Sequence, residues 1–285
     1  MLEVTRKLVE LLDVSPTGGD HFQGDSEDVG FPNLFGGQVL GQALMAATRT
    51  VDDRMPHSMH AYFLRPGNPR LPVDYEVQRV RDGGSFSVRR VSARQEGREI
   101  LTCAVSLQIE EQGLEHQFDM PEAPPLDTLR SDQDLFKPMA SRLPEKLRHL
   151  WEREQPIEFR TTEPQDPLNP QVKPPYAQSW LRVQGELPDD PILHRCLLAY
   201  LSDFTLLATS LKPHGCSLLV PDMQIASLDH ALWFHREFRI DDWLLYDKDS
   251  PSASGGRGLT RGAFFNREGV LVASAAQEGL IRKRG

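Results

Sequence analysis

The spacing of apolar and polar residues in the first half of the chain follows a helical period and then a period of two. Helical spacing predicts a short amphipathic helix over residues 4–12 and, after a turn at 15–20, a longer helix over 35–51. The longer helix is rich in Gly and Ala, which indicates close packing, most simply against a curved sheet. Alternating positions then predict four strands, over residues 58–64, 73–81, 86–95 and 98–108.

The second half of the chain repeats this pattern. A strand is predicted over residues 176–185, a long helix over 191–209, and further strands over 223–235, 243–248, 258–266 and 270–282. Three landmarks recur in the same order: His60-Ala61 as His230-Ala231 after 170 residues, Gly83-Gly84 as Gly255-Gly256 after 172, and Glu96-Gly97 as Glu268-Gly269 after 172. We therefore predict two fused copies of one sheet-plus-helix unit.

A proline-rich segment separates the two copies. Helix interiors and central strands exclude proline, so we interpret this segment as an ordered connection with one short helix near residues 143–154. The predicted organisation is an N-terminal repeat over 1–112, a connection over 113–175 and a C-terminal repeat over 176–285.

Composition narrows the class of protein. The 285-residue chain has a formal net charge of -9, which disfavours non-specific binding of nucleic acid through a basic surface. Its three cysteines form no paired metal or redox motif, as is usual in a reducing compartment. The N-terminal helix lacks the features of a signal peptide, and no run of about 18 apolar residues predicts a membrane span. The cytoplasm is the expected location.

One predicted strand carries an unusual set of polar side chains. Residues 224–236 combine a hydroxyl, a carboxylate and two imidazoles with apolar neighbours, and residues 56–65 repeat part of this content. Asp229 and His230 are not expected to pair, because adjacent strand residues point to opposite faces. The chain has no Gly-x-Ser-x-Gly elbow and no glycine spacing typical of nucleotide binding, which disfavours serine-hydrolase and P-loop chemistry.

Four runs of sequence resemble those of the acyl-CoA thioesterase II family, in family order and in both halves. They are FGGQVLGQA at 35–43, HSMHAYFLRPG at 57–67, SLDHALWFH at 227–235 and AQEG at 276–279. The resemblance implies an α+β fold of the double hotdog type, in which two fused antiparallel sheets each wrap around a central helix. It also implies hydrolysis of acyl-CoA to a fatty acid and CoA, without a covalent intermediate, a metal or another cofactor.

The same resemblance implies three catalytic residues: Asp203 from the second central helix, Ser227 from the following strand and Gln277 from the closing strand. Several family members have Thr where this chain has Ser227, so the hydroxyl is kept. A partly desolvated carboxylate can accept a proton from the attacking water, and a hydroxyl and an amide can orient that water. Without the resemblance, the simpler interpretation would be a helix-surface charge for Asp203, a neutral strand residue for Ser227 and an exposed polar position for Gln277.

Other residues are weaker candidates. His57, His60 and His230 are secondary candidates, and we interpret His60 and His230 as structural residues where the two sheets join. CoA carries phosphates, so cationic residues that flank the motif strands are candidates for CoA binding: Arg65, Arg89, Arg90, Arg257 and Arg261. Backbone N–H groups, as at a helix N-terminus, are expected to stabilise the oxyanion.

Two other functions remain open. A hotdog enoyl-CoA hydratase would need an Asp and a His on one short Asn-Pro-hydrophobic-His segment, which the sequence lacks. A non-catalytic acyl-CoA binding module would not need the Asp, Ser and Gln that are present. The expected partners are an acyl-CoA substrate and further copies of the chain, because exposed sheet edges can pair.

Overall fold

A computed structural model describes residues 1–30, 32–142, 148, 152–219 and 223–284. Within these residues, 13 strands form one antiparallel sheet. The strands are β1 Ser15–Gly18, β2 His21–Gly24, β3 Met55–Phe63, β4 Val73–Asp82, β5 Phe86–Gln95, β6 Arg98–Gln108, β7 Ile157–Thr161, β8 Tyr176–Val183, β9 Met223–Ser227, β10 Asp229–Phe234, β11 Leu244–Ser254, β12 Arg257–Phe265 and β13 Leu271–Lys283. Their order is β1-β2-β4-β5-β6-β3-β10-β13-β12-β11-β8-β7, with β9 paired to β13 beside this path.

The two halves of the sheet meet where β3 pairs with β10. Ala231 lies opposite His60 and His230 opposite Ala61, so the residues of the two strands correspond after a shift of 170 positions. Outward from this junction, β6, β5, β4 and β2 on one side match β13, β12, β11 and β8 on the other. The predicted internal repeat and the α+β double hotdog fold are confirmed, and the two copies share one continuous sheet.

Two long helices pack side by side: α2 over Gly36–Thr48 and α4 over Pro191–Ser202, with the short helices α1 Glu3–Leu12 and α3 Asp132–Phe136 elsewhere in the chain. A Cβ at Gly37 would lie 2.3 Å from the carbonyl oxygen of Tyr200, and one at Gly41 would lie 3.0 Å from that of Cys196. The glycines of α2 therefore admit the backbone of α4, whereas the sequence suggested a curved sheet at this contact.

The second central helix is shorter than the predicted 191–209. It ends at Ser202 and, after a turn, a 3-10 helix covers Leu207–His214. Thr205 has a φ of 62°, a left-handed conformation that β-branched residues rarely adopt and that breaks the helix. Asp203 is consequently the C-terminal cap of α4 and not one of its interior residues.

The predicted strand of 223–235 consists of two strands. β9 pairs with β13, whereas β10 pairs with both β13 and β3. Leu228 lies between them, donates its N–H to Glu278 and accepts from the N–H of Phe63. The strand therefore changes its pairing at Leu228, and this switch separates Ser227 from His230. The predicted turn of 15–20 was also wrong in part, because β1 pairs with β2 there.

The proline-rich connection contains more regular structure than predicted. Helix α3 is followed by a 3-10 helix over Lys137–Arg142, and β7 pairs with β8 at one end of the sheet. Prolines precede and follow β7 in the sequence, which weakened its strand signal. The predicted helix near 143–154 lies largely outside the described residues. The domain bounds 1–112, 113–175 and 176–285 stay a prediction.

The apolar core is continuous across both halves. Leu40 and Leu44 of α2 and Leu197 and Leu201 of α4 are fully buried in one cluster with strand residues from both sides of the junction. Burial of such a side chain contributes about 1.5–3 kcal/mol. In the described part of the chain, no helix has the length and apolar character needed to span a bilayer.

Candidate active site

Asp203 lies where the end of α4 meets the start of α2. It caps the C-terminus of α4, and its side chain is 6% exposed. Its Oδ2 faces Gly36, where an added Cβ would approach that oxygen to 2.8 Å. The first N–H groups of a helix lack intrahelical acceptors and carry partial positive charge. The nearly buried carboxylate therefore lies between the negative end of α4 and the positive end of α2.

Gln277 joins Asp203 to Ser227. Its Nε2 donates to Asp203 Oδ1 at 2.6 Å and to Ser227 Oγ at 2.9 Å. These two bonds use both amide hydrogens. The side chain is fully buried, and its Oε1 has no hydrogen-bond partner among the described residues. A buried acceptor without a partner is unfavourable, so Oε1 is available to a water molecule or a substrate group.

Ser227 is the last residue of β9 and is half-buried. It lies opposite Gly279 of β13, so its hydroxyl comes next to the side chain of Gln277 from the same strand. The hydroxyl accepts the hydrogen bond from Gln277, which leaves its own proton for another acceptor. The three residues implied by the resemblance thus form one hydrogen-bonded set, although Asp203 and Gln277 are 74 residues apart in the chain.

His230 lies on the buried side of this set. Its Nε2 is 2.8 Å from Ser202 Oγ, and its Nδ1 is 4.0 Å from Asp203 Oδ1. Burial lowers the pKa of His230, against the opposing effect of the carboxylates of Asp203 and Asp229, so the imidazole is neutral near pH 7. Asp229 Oδ1 instead accepts from the backbone N–H of Glu278, which gives it a structural role.

The other two histidine candidates make contacts elsewhere. His57 Nε2 is 2.7 Å from Ser106 Oγ, and its ring packs edge-on against Phe86. His60 is exposed on β3 and packs edge-on against Trp233. These contacts join β3 to β5, β6 and β10 and do not include the Asp203 set.

The five arginine candidates differ in exposure. Four of them are exposed: Arg65, Arg90, Arg257 and Arg261. Arg89, in contrast, is 1% exposed and donates to the carboxylate of Asp82 and to the hydroxyl and carbonyl oxygens of Thr50. Its guanidinium is therefore buried and engaged in these hydrogen bonds, whereas the other four arginines are exposed and stay candidates for CoA binding. The Arg89 partner Thr50 lies 39 residues away in the chain, which the sequence pattern did not reveal.

Aromatic side chains form an apolar wall next to Asp203. Phe35 packs against Tyr200 and Phe204, with ring centroids 5.2 and 4.3 Å apart. Phe204 also packs against Phe159 of β7 at 6.0 Å. Because Phe35 precedes α2 and Phe204 follows Asp203, this wall lies beside the carboxylate and the start of α2.

Two neighbours of Asp203 were missed by sequence reasoning. Gly36 was interpreted as a packing glycine and not as a neighbour of Asp203. Its place at the start of a helix was the signal that could have indicated a functional position. Tyr246 Oη donates to the carbonyl oxygen of Ser202 at 2.9 Å, directly before Asp203. The sequence predicted a strand over residues 243–248, but nothing in it indicated that Tyr246 would contact this turn.

Both halves of the chain match known protein families. Residues 23–108 match the acyl-CoA thioesterase N-terminal domain family, and residues 146–280 match the acyl-CoA thioesterase family. The chain is 40% identical over 283 residues to acyl-CoA thioesterase 2 of Haemophilus influenzae, with 99% of each chain covered. It is 42% identical over 281 residues to human acyl-coenzyme A thioesterase 8, with 95% of this chain and 88% of that protein covered.

A solved structure is similar over nearly the whole chain. The crystal structure of the acyl-CoA thioesterase II TesB2 from Mycobacterium marinum has a TM-score of 0.79 and 40% sequence identity, over 97% of this chain and 98% of that chain. The matches include both copies of the internal repeat and the segments that carry the Asp203 set. The chain therefore belongs to the acyl-CoA thioesterase II family and is a thioester hydrolase.

Proposed function

We propose that this chain hydrolyses fatty acyl-CoA to a free fatty acid and CoA, with Asp203 as the general base. The names of relatives that match over nearly their whole length support this substrate class. The observation that carries the site assignment is the hydrogen-bonded set of Asp203, Gln277 and Ser227. Gln277 donates a hydrogen bond to Oδ1 of Asp203, so Oδ2 is the oxygen that we propose accepts the proton.

In the proposed reaction, a water molecule attacks the thioester carbonyl carbon and gives a proton to Asp203 Oδ2. The carbonyl electrons move to the oxygen and form a tetrahedral oxyanion. Its collapse restores the carbonyl group and breaks the C–S bond, and the departing thiolate takes the proton from Asp203. The products are a fatty acid and CoA, with no covalent bond to the protein.

Ser227 and Gln277 orient the water in this proposal. The Ser227 hydroxyl can donate to the water oxygen, and Gln277 Oε1 can accept from one of its hydrogens. Gln277 also holds Asp203 and Ser227 in place, because its two amide hydrogens are donated to their side chains. Fixing the water and the base in this way lowers the barrier by orientation.

The start of α2 is the proposed oxyanion site. The N–H groups at a helix start generally lack intrahelical acceptors, and a Cβ added at Gly36 would lie 2.8 Å from Asp203 Oδ2. Donors aimed at a developing negative charge in a water-poor site typically contribute about 10²–10³-fold each. The proximity of α2 to the base supports this assignment.

The substrate would extend from the site in two directions. The aromatic wall formed by Phe35, Tyr200 and Phe204 offers an apolar surface for the acyl chain. The exposed arginines are proposed for the CoA phosphates: Arg65, Arg90, Arg257 and Arg261. Arg257 and Arg261 are already paired with Glu278 and Asp249, so phosphate binding would replace those exposed ion pairs.

We also propose that the enzyme is a cytoplasmic homo-oligomer. The exposed sheet ends at β1 and β7 support self-association. Light scattering of the purified chain tests this, and a monomer at micromolar concentration would contradict it.

Release of free thiol from saturated acyl-CoA of several chain lengths tests the proposed function, with wild type and Asp203→Asn side by side. Asn keeps the shape of Asp and loses its basicity, so we expect a loss of roughly 10²–10⁴ in kcat. Full activity in the variant would remove Asp203 from the mechanism. No thiol release by wild type at any length would favour a binding module, and addition of water to enoyl-CoA would favour a hydratase.

A further inference from the structure

The turn that carries Asp203 is anchored on both sides by one strand. Tyr246 and Lys248 are alternate residues of β11 and therefore point to the same face. Tyr246 Oη donates to the carbonyl oxygen of Ser202 at 2.9 Å, and Lys248 Nζ donates to Thr205 Oγ1 at 3.0 Å. Asp203 lies between these two anchored residues. The anchor on the far side is the unusual one, because it comes from a buried lysine.

Lys248 is 1% exposed, although burial of an ammonium group is unfavourable. Burial lowers the pKa of Lys248 to about 7, against the opposing effect of the Asp132 carboxylate. Its Nζ also lies 4.5 Å from the centre of the Tyr246 ring. An apolar side chain of similar length would fill this space at a lower desolvation penalty, so packing does not explain the lysine.

A buried hydrogen-bond chain leads away from Lys248 on its other side. Nζ donates to Ser179 Oγ at 3.2 Å, Ser179 Oγ lies 3.2 Å from Thr161 Oγ1, and Thr161 donates to Asp132 Oδ2 at 2.6 Å. Each hydroxyl can accept one hydrogen bond and donate another. All three bonds can therefore be donated in the same direction, from the ammonium group towards the carboxylate. Burial raises the pKa of Asp132. The chain thus fixes the ammonium with respect to β7, β8 and α3.

Thr205 needs such an anchor. Its φ of 62° is unfavourable for a β-branched residue, and its side chain is largely exposed. Little packing around the side chain therefore holds it in this conformation. Two hydrogen bonds do: Lys248 donates to the hydroxyl of Thr205, and the hydroxyl of Thr209 donates to its carbonyl oxygen at 3.4 Å. The conformation of Thr205 sets the course of the chain directly after Asp203.

We propose that Lys248 is a positioning residue for catalysis, whose hydrogen bond to Thr205 fixes the turn that aims Asp203 at the attacking water. This inference rests on the proposed role of Asp203 as the general base. Lys248 does not touch the reacting atoms. It acts through Thr205, so its loss should reduce kcat more than it changes KM.

The test compares single and double variants of the full-length enzyme in thiol release from decanoyl-CoA. Lys248→Met keeps the length of the side chain and removes the donor, Thr205→Val keeps the β-branch and removes the acceptor, and Thr205→Ser restores a hydroxyl. A misplacement of about 1 Å can reduce a rate about 10²-fold, so we expect kcat to fall roughly 10- to 100-fold in Lys248→Met and in Thr205→Val. KM should stay within about threefold in both.

Three further results separate positioning from a purely structural role. Thr205→Ser should keep kcat within about threefold of wild type. In the Thr205→Val background, Lys248→Met should lower kcat by less than about a further twofold, because both substitutions remove the same hydrogen bond. The melting temperature of Lys248→Met should not fall. Lys212→Met is the matched control, because Lys212 is half-buried and donates to the carbonyl oxygen of Tyr176 and not to Thr205, and the kcat of this variant should stay within about twofold.

The inference is overturned if Lys248→Met and Thr205→Val fold and both keep kcat within about twofold of wild type. If Lys248→Met does not fold, the exposed Thr205 pair decides, and equal kcat in Thr205→Val and Thr205→Ser overturns the inference. Asp203→Asn measured alongside separates the two proposals. An inactive Asp203→Asn with an active Thr205→Val overturns the positioning role alone, whereas an active Asp203→Asn overturns the role of the base and the positioning role with it.

Discussion

The two halves of the sheet share one architecture but differ at the positions of the candidate catalytic residues. Positions in the two halves correspond in three ways. The C-terminal cap residue of α2 matches that of α4. Residues of β3 match those of β10 after a shift of 170 positions, and residues of β6 match those of β13 after a shift of 173. The first half has Arg49, His57 and Ala104 where the second half has Asp203, Ser227 and Gln277.

These differences remove the proposed chemistry from the first half. Arg49 pairs with Asp13 and cannot accept a proton from water, and Ala104 has no polar side-chain atom. His57 is bonded to Ser106. The fused chain therefore keeps one candidate site where two identical chains would have two. The fold is symmetric in its strand order, while the chemistry is asymmetric.

The starts of the two central helices differ in a complementary way. Asp190 caps α4, and its carboxylate accepts from the N–H groups of Ile192 and Leu193. The cap residue of α2 is Phe35, which makes no side-chain cap hydrogen bond. The uncapped helix start is the one that faces Asp203, and this contrast supports its proposed role in binding the oxyanion.

Replacing Gln277 with Ala would give the second half the residue that the first half has at Ala104. Asp203 and Ser227 would both lose their hydrogen-bond donor, so we expect kcat to fall roughly 10²–10³-fold. Steady-state thiol release measures this effect. Ala104→Ser, on the exposed face of β6, is the control and should stay within about twofold of wild type. An active Gln277→Ala would break the comparison.

The Ser227 hydroxyl should matter less than Gln277, because it is proposed to contribute one hydrogen bond to the water. We expect Ser227→Ala to lower kcat about tenfold. Ser227→Thr should keep the hydroxyl and most of the activity, in line with the Thr found in several family members. Equal loss in the Ala and Thr variants would mean that the hydroxyl is not the functional group at this position.

The buried lysine of the second half should also be visible in the pH dependence of stability. Its folded pKa of about 7 lies below the unfolded value, so between these values the unfolded chain binds one proton more. The free energy of unfolding of wild type, relative to Lys248→Met, should then rise by about 1.4 kcal/mol per pH unit from pH 7 to 9. Denaturant unfolding at several pH values measures this slope. A flat difference would contradict a buried, titrating Lys248.

The repeat and its strands could be predicted from the sequence because they depend on local patterns. Residues 86–95 and 98–108 alternate cleanly, and the structure has β5 and β6 at those bounds. The end of α4 could not be predicted, because the left-handed conformation of Thr205 has no signal in the surrounding residue types. β7 could not be predicted either, because it is short and flanked by prolines. Its pairing with β8 is seen only in the structure.

The candidate site was identified from the sequence through the family resemblance and not through its spacing. Asp203 and Gln277 are 74 residues apart, and no local pattern brings their side chains together. The burial of Arg89 and of Lys248 was missed for the same reason. In both cases a charge is buried because polar partners from several elements converge on it.

The central claim is that the second half alone carries the catalytic base. The most direct test is the ratio of kcat/KM between Asp203→Asn and Ser106→Ala, measured with the same acyl-CoA, because Ser106 is the hydrogen-bond partner of His57 in the first half. We expect Asp203→Asn to lose roughly 10²–10⁴-fold and Ser106→Ala to stay within about twofold of wild type. Comparable losses in both variants, or a larger loss in Ser106→Ala, would contradict a single site in the second half.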